Sequence, residues 1–232
     1  MTLPSVTAII PAAGVGSRMN AEHPKQYLSL AGKPILSHTV ELLLSHPQIT
    51  KVIVALSPED RYFNQLDIAA HPDVTRVEGG KERADSVLNA LNSMKDNSWA
   101  LVHDAARPCV PLDDISSLLS VMSRDDVVGG ILATPVRDTM KRAHTDNKAY
   151  VSHTESRDNL WHALTPQMFR AKPLWNALSE ALQQGVSITD EASAFEWKGF
   201  SPALVAGRSD NFKITQPEDL ALAEFYLSQN KE

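Results

Sequence analysis

The feature that most constrains the fold is the alternation of short apolar runs with segments of helical spacing. Residues 6–10, "KVIVALS" at 51–57, the shorter "VTRVEGG" at 74–80, "WALVHDAARP" at 99–108 and "GGILATPV" at 129–136 read as strands, the fourth running out into a polar turn. Between them, Ile35, Leu36, Thr39, Val40, Leu43 and Leu44 recur at helical spacing. So do Val87, Leu88, Leu91 and Met94, and then Ile115, Leu118, Leu119 and Met122. Strands separated by helices imply right-handed crossovers and a mostly parallel sheet with helices on both faces, an α/β Rossmann-like arrangement. Three helices close the chain: "PLWNALSEALQQG" stopped by Gly185, "SITDEASAFEWKG" with a Thr/Asp cap, and "PEDLALAEFYLSQ" with Pro217 in its first turn.

One stretch breaks the rhythm. Residues 137–159, "RDTMKRAHTDNKAYVSHTESRDN", are polar, with weak strand character at either end and a turn-like centre. A hairpin of that kind has little to pack on within its own chain. It reads either as a surface loop or as an arm that gains its core from another subunit. With no repeat and no low-complexity linker, the expectation is a single domain over 1–232 from which the arm protrudes.

Charge and cysteine content narrow the function. With 22 Lys+Arg against 28 Asp+Glu the net charge is -6, which disfavours nucleic acid as a partner. No apolar stretch approaches the ~18–20 residues of a membrane span. "MTLPSVTAII" lacks the build of a secretory signal. The single cysteine, Cys109, excludes an internal disulfide or a cysteine-based zinc cluster, and a reducing cytoplasm is the simplest setting.

In open α/β sheets, ligands bind beyond the carboxyl ends of the strands, and "PAAGVGSRM" occupies that place after the first strand. Ala12, Ala13, Gly14 and Gly16 have side chains small enough for backbone N–H groups to approach a phosphate chain. Met19 stands where a dinucleotide fingerprint needs its third glycine, and no Walker loop is present. Charge replaces what those motifs would supply. Arg18 follows the loop and Lys25 comes seven positions later in "HPKQYL". A tight turn with two solvated cations is one reading; a cradle for a nucleoside triphosphate is the other, since cations at the transferring phosphorus lower the barrier to phosphoryl-type transfer.

With "PAAGVGSRM" and "PKQYL", the motifs "GGKERADSV", "VHDAARP", "PVRDTMKR", "LWHALTPQ", "ITDEASAFE" and "DNFKIT" follow in order. Together they resemble the sugar-nucleotide pyrophosphorylase-like nucleotidyltransferases, and within them the 2-C-methyl-D-erythritol 4-phosphate cytidylyltransferases. The similarity spans nearly the whole chain. It implies transfer of CMP from CTP to 2-C-methyl-D-erythritol 4-phosphate, with pyrophosphate released. It implies Arg18 and Lys25 as catalytic cations; Ala12, Ala13, Gly14, Gly80, Ser86 and Ala105 at the nucleotide; and Asp104, with Asp210, as oxygen ligands of Mg2+ or another divalent cation. It also implies Arg107, Thr139, Arg157, Thr165, Thr189 and Lys213 at the acceptor, with Thr139 and Arg157 arriving on the arm of a homodimer partner. His103 reads as structural. Rival readings are a cytidylyltransferase for another polyol phosphate such as ribitol 5-phosphate, and a CTP sensor without turnover. The loop cations and Asp104 argue against the sensor, and the absent third glycine argues against a nicotinamide-binding oxidoreductase.

Overall fold

In the computed structural model, residues 5–14, 24–146 and 148–229 are described. The first half alternates as the sequence suggests. β1 (Val6–Pro11) is followed by a small hairpin, β2 (Ser29–Leu30) with β3 (Lys33–Pro34), and then α1 (Ile35–Ser45), β4 (Ile49–Leu56), β5 (Val74–Glu78), α2 (Arg83–Leu91), β6 (Trp99–Val102), α3 (Leu112–Leu119) and β7 (Gly129–Pro135). The arm is a second hairpin, β8 (Lys141–Ala143) with β9 (Val151–Thr154). The chain then forms β10 (Trp161–Arg170), α4 (Ala171–Gln183), α5 (Glu191–Trp197), β11 (Ala203–Ala206) and α6 (Glu218–Gln229).

Seven strands make one sheet in the order β11-β7-β10-β6-β1-β4-β5. β10 runs antiparallel to both of its neighbours, whereas β1–β4, β4–β5, β1–β6 and β7–β11 pair in parallel. Successive side chains of a strand point to opposite faces, and the two cores follow that period. Ala8 and Ile10 of β1, Val52 and Val54 of β4 and Leu101 of β6 pack with Leu36, Val40 and Leu43 of α1 and with Ile115 and Leu118 of α3. Ile9, Ile53 and Val102 face the other way, against Val87 of α2, Leu174 and Leu178 of α4 and Phe195 of α5. A smaller core seats α6 through Ala223 on Leu30, Ile35, Ala106 and Ile214. Among the described residues no helix is long and apolar enough to cross a membrane.

Two strands of the main sheet escape the sequence reading, as does the small β2–β3 hairpin. β11 is too short to carry a period. β10 contains Pro166, which normally argues against a central strand. The structure accommodates it with an irregularity: Ala163 pairs with Ala133, the next pair is Gln167 with Ile131, and the residues between bulge out of the ladder. That bulge delivers Thr165 to the carboxyl end of β6. The helix anticipated through Met94 stops at Leu91, and the strand anticipated through residue 80 stops at Glu78. Gly79 and Gly80 therefore lie in the loop between β5 and α2.

Every residue of β8 and β9 is exposed, with Tyr150 and Val151 showing 65% and 58% of their surface. Polar pairs cross the hairpin, Lys141 Nζ to Thr154 Oγ1 at 2.7 Å and Arg142 Nε to Glu155 Oε1 at 2.8 Å.

Close packing of β7 on β10 requires Gly129, where a Cβ would sit 2.3 Å from Phe169 Cδ1 and 2.4 Å from the Met168 carbonyl oxygen. Gly129→Ala is expected to cost ~1–3 kcal/mol or somewhat more, read as a lower urea midpoint at unchanged slope.

Candidate active site

The strand order reverses between β1 and β6: the chain builds outward through β4 and β5 and then returns to the other side of β1. A crevice opens at such a switch point. Pro11–Gly14 from the end of β1, Lys25 and Gln26 from a 3-10 turn, Arg83 from α2, Asp104–Ala106 from the end of β6, and Lys213 line one cavity there. A second cavity abuts it, lined by Arg107, Thr165, Gln167, Thr189 and Asp190, and it shares Arg83, Asp104 and Lys213 with the first. The wall between the two cavities is thus one carboxylate and its cations.

The first cavity is built by close backbone approach. Gln26, almost fully buried, donates from Nε2 to the Ala12 carbonyl at 2.8 Å and ties the turn carrying Lys25 to the β1 loop. A Cβ on Gly79 would lie 2.5 Å from Ala13 Cβ, so the β5–α2 loop reaches the β1 loop there only as glycine, and one on Gly80 would lie 2.2 Å from Asp85 Cβ of α2. Ser86 Oγ accepts from the Gly80 N–H at 3.0 Å and donates to the Glu82 carbonyl at 3.2 Å. Its hydroxyl holds the loop's shape, and neither Gly80 nor Ser86 is among the residues lining these two cavities.

Asp104 is the electrostatic centre. Arg83 Nε approaches its Oδ1 at 3.2 Å, while Lys213 Nζ at 3.0 Å and Arg107 Nε at 3.3 Å share its Oδ2. Burial by itself would raise the Asp104 pKa. Arg83, then Lys213 and Arg107, outweigh burial and hold the carboxyl well below the ordinary carboxylate range. Arg83 also grips the fully buried Glu191 through two parallel bonds, Nη1–Oε1 at 2.7 Å and Nη2–Oε2 at 3.0 Å. Burial opposes the Arg83 charge, but Glu191 and Asp104 together raise its pKa.

A hydrogen-bond chain fixes the backbone beneath. The fully buried His103 faces the Arg107 carbonyl through Nε2 at 2.9 Å, and a carbonyl can only accept, so Nε2 carries the proton. Nδ1 is then the acceptor for the Thr165 hydroxyl at 3.0 Å, which itself accepts from the Asp104 N–H at 3.0 Å. The sequence expectation of a structural His103 agrees with this chain of bonds. Arg107 Nη1 donates to the Asn211 carbonyl at 2.7 Å, and Asn211 Nδ2 donates to the Thr165 carbonyl at 2.8 Å. Asn211 Oδ1 is, among the described residues, the buried side-chain atom left without a partner.

Of the residues singled out from the sequence, Ala12, Ala13, Gly14, Lys25, Asp104, Ala105, Arg107, Thr165, Thr189 and Lys213 converge on the two cavities. Arg18 lies outside the described residues. Thr139 and Arg157 sit exposed on the arm, where the Arg157 guanidinium donates to the Arg137 carbonyl, and neither lines the site of its own chain. Asp210 spends both oxygens on Arg208 and lines neither cavity. The α5 cap is Asp190, whose Oδ1 accepts from the Ser193 N–H at 2.9 Å, with Thr189 just outside. Burial pushes the Cys109 thiol up to about 12, with Asp210 adding to the effect, so no thiolate nucleophile is at hand. Arg83, Glu191 and Gln26 were not singled out. A signal for Arg83 exists: a cation at the first position of a helix opposes the macrodipole and needs anions nearby.

Among the described residues no group of three or more His, Cys, Asp or Glu could cage a metal ion. Mg2+ keeps several waters and commonly takes one or two carboxylates plus substrate phosphates. Asp104, a hard oxygen donor that lines both cavities, fits that modest requirement where Mg2+ displaces one of its cations; Asp210, paired with Arg208, lines neither cavity.

The family model described as "IspD: 2-C-methyl-D-erythritol 4-phosphate cytidylyltransferase" matches residues 6–229. A protein of Vibrio atlanticus (strain LGP32) named 2-C-methyl-D-erythritol 4-phosphate cytidylyltransferase is 68% identical, covering 99% of this chain and 98% of that one. The Vibrio cholerae protein of the same name is 62% identical over 98% of each chain. The crystal structure of the Francisella tularensis 2-C-methyl-D-erythritol 4-phosphate cytidylyltransferase superposes with a TM-score of 0.82 at 36% identity, covering 96% of this chain and 99% of that one.

The His103 chain has a pH signature. Burial lowers the ring's pKa from 6.5 to about 4, so between those values the unfolded chain binds a proton that the folded chain refuses. Stability is expected to fall as pH drops from 6.5 towards 4, by ~3 kcal/mol from this group. Denaturation of His103→Gln should show that much less slope over the window; an identical slope would refute the assignment.

Proposed function

Because the chain belongs to the 2-C-methyl-D-erythritol 4-phosphate cytidylyltransferase family, we propose that its two adjoining cavities hold CTP and 2-C-methyl-D-erythritol 4-phosphate side by side. The chain transfers CMP from the first to the second, giving 4-diphosphocytidyl-2-C-methyl-D-erythritol and pyrophosphate in non-mevalonate isoprenoid biosynthesis. The observation that carries the placement is the shared wall of Arg83, Asp104 and Lys213: a cavity with small-residue backbone and Lys25 lies on one side, and one with Arg107, Thr165 and Thr189 on the other.

In this reading the backbone of Ala12–Gly14 follows the triphosphate, and Ala105 meets the cytidine end beside the β5–α2 junction, whose shape Gly80 and Ser86 hold. A phosphate oxygen of the acceptor attacks the α-phosphorus of CTP in line; the new P–O bond forms as the bond to the β-phosphate oxygen breaks, and pyrophosphate leaves with the electron pair. A phosphate dianion is nucleophilic without a general base. Lys25, with Arg18, offsets the charge gathering on the five-coordinate phosphorus and on the leaving group. Lys213 and Arg107 orient the acceptor phosphate, the guanidinium by its planar fork. Mg2+ held at Asp104 would neutralise and order the triphosphate oxygens when bound. A cytoplasmic setting belongs to the same proposal and is supported by a lone buried cysteine.

The arm completes the proposal. A hairpin exposed on every strand residue, with Tyr150 and Val151 outward, suits docking on a second copy, so that Thr139 and Arg157 enter the partner's acceptor cavity.

Pyrophosphate release from CTP with 2-C-methyl-D-erythritol 4-phosphate tests the activity, and ribitol 5-phosphate as acceptor should give far less. Lys25→Ala should lower kcat by about 10²–10³-fold with little change in thermal midpoint, and excess chelator should abolish turnover. Lys25→Ala and Arg157→Ala preparations, unfolded and refolded together, should recover activity that neither has alone, because a mixed dimer rebuilds one intact site; no recovery would sink the shared-arm assignment.

A further inference from the structure

We propose that Glu191 is a positioning residue for the transfer: by gripping two nitrogens of Arg83 it rests the third on Asp104 Oδ1 and fixes the wall between the two cavities. The proposal rests on the cytidylyltransferase reading and adds to it a residue that touches neither substrate cavity.

Glu191 is completely buried at the first position of α5. Its charge is not needed to start that helix. Asp190 and Ser193 already form a reciprocal cap, and the Ala192 N–H is satisfied by Gln167 Oε1 at 3.0 Å. The Glu191 carboxylate is instead spent on Arg83, at 2.7 and 3.0 Å. A buried ion pair often gains little stability over apolar side chains of similar volume, and what this one visibly sets is the geometry of Arg83.

The geometry follows from the guanidinium plane. With both terminal nitrogens held by Glu191, Nε rests on Asp104 Oδ1 at 3.2 Å. Oδ2 is left to Lys213 and Arg107, so Arg83 does not compete with them for that oxygen. Without the grip, Arg83 could swing into either cavity as an extra phosphate ligand. Lysine cannot substitute, since one ammonium cannot bridge two carboxylates in a planar fork.

Steady-state pyrophosphate release by the full-length enzyme decides the matter, with thermal midpoints recorded for each variant. If the wild type does not turn over CTP with 2-C-methyl-D-erythritol 4-phosphate, the functional reading fails, which is a different failure from that of this proposal. Given wild-type turnover, Glu191→Gln and Arg83→Lys should each lower kcat about 10–100-fold while KM for CTP stays within about threefold. The double variant should be no slower than the slower single one, because the pair acts as a unit. Glu191→Asp should recover part of the loss. Wild-type kcat in Glu191→Gln, or losses that multiply in the double variant, would overturn the proposal. Should Glu191→Gln fail to fold, Glu191→Asp decides: a kcat below wild type at unchanged KM for CTP supports it, and wild-type turnover overturns it.

Discussion

The Asp104 carboxylate, buried and met by Arg83, Arg107 and Lys213, is the interaction on which the rest of the site depends. Taking an ion out of water costs several kcal/mol even after relaxation, so such a cluster persists only when every member is partnered. Here Glu191 completes Arg83, and the Asn211 carbonyl completes Arg107. The cost is met because the partners come from distant points in the chain: α2, the loop after β6, α5 and the segment after β11.

The sheet makes that convergence possible. Reversal of strand order beside β1 leaves a gap that helices cannot fill, and the antiparallel β10 closes its far side. The bulge between Ala163 and Gln167 turns Thr165 out of the ladder and onto the Asp104 N–H, with His103 and the Arg107 carbonyl in the same chain of bonds. A local break in regular pairing thereby fixes the backbone that presents the central carboxylate. Two cavities with a common charged wall suit a reaction that must bring one phosphate ester against another while offsetting their mutual repulsion.

Much of the architecture was legible as periodicity. The strands at 6–10, 51–57 and 99–102 and the helices beginning at Ile35 and Leu112 are long enough, or apolar enough, to declare their period. β10 was not, because Pro166 argues against a central strand and only the bulge reconciles it. β11 has too few residues to show alternation. At the site, the small residues Ala12–Gly14, Lys25 and the strand-end Asp104 could be named from residue type and position, whereas Arg107 and Lys213 were named only through the family resemblance. Arg83 and Glu191 stood in quoted motifs; Arg83 carries only the weak signal of a cation at a helix start, and nothing local distinguishes Glu191 from an ordinary surface charge. Asp210 shows the opposite case: its motif suggested an oxygen ligand, but its nearest cation, Arg208, captures it.

The sequence by itself determined the α/β class, the turn after β1 and the kinds of side chain available, because local propensity and hydrophobic period act over a few neighbouring residues. Which charges meet was decided only by tertiary structure. Arg83 reaches Glu191 across 108 positions of chain, and Lys213 meets Asp104 only once the segment after β11 folds back over β6. Coulomb pairing depends on separation in space and on how much water remains between the groups, and neither quantity is written in the order of the residues.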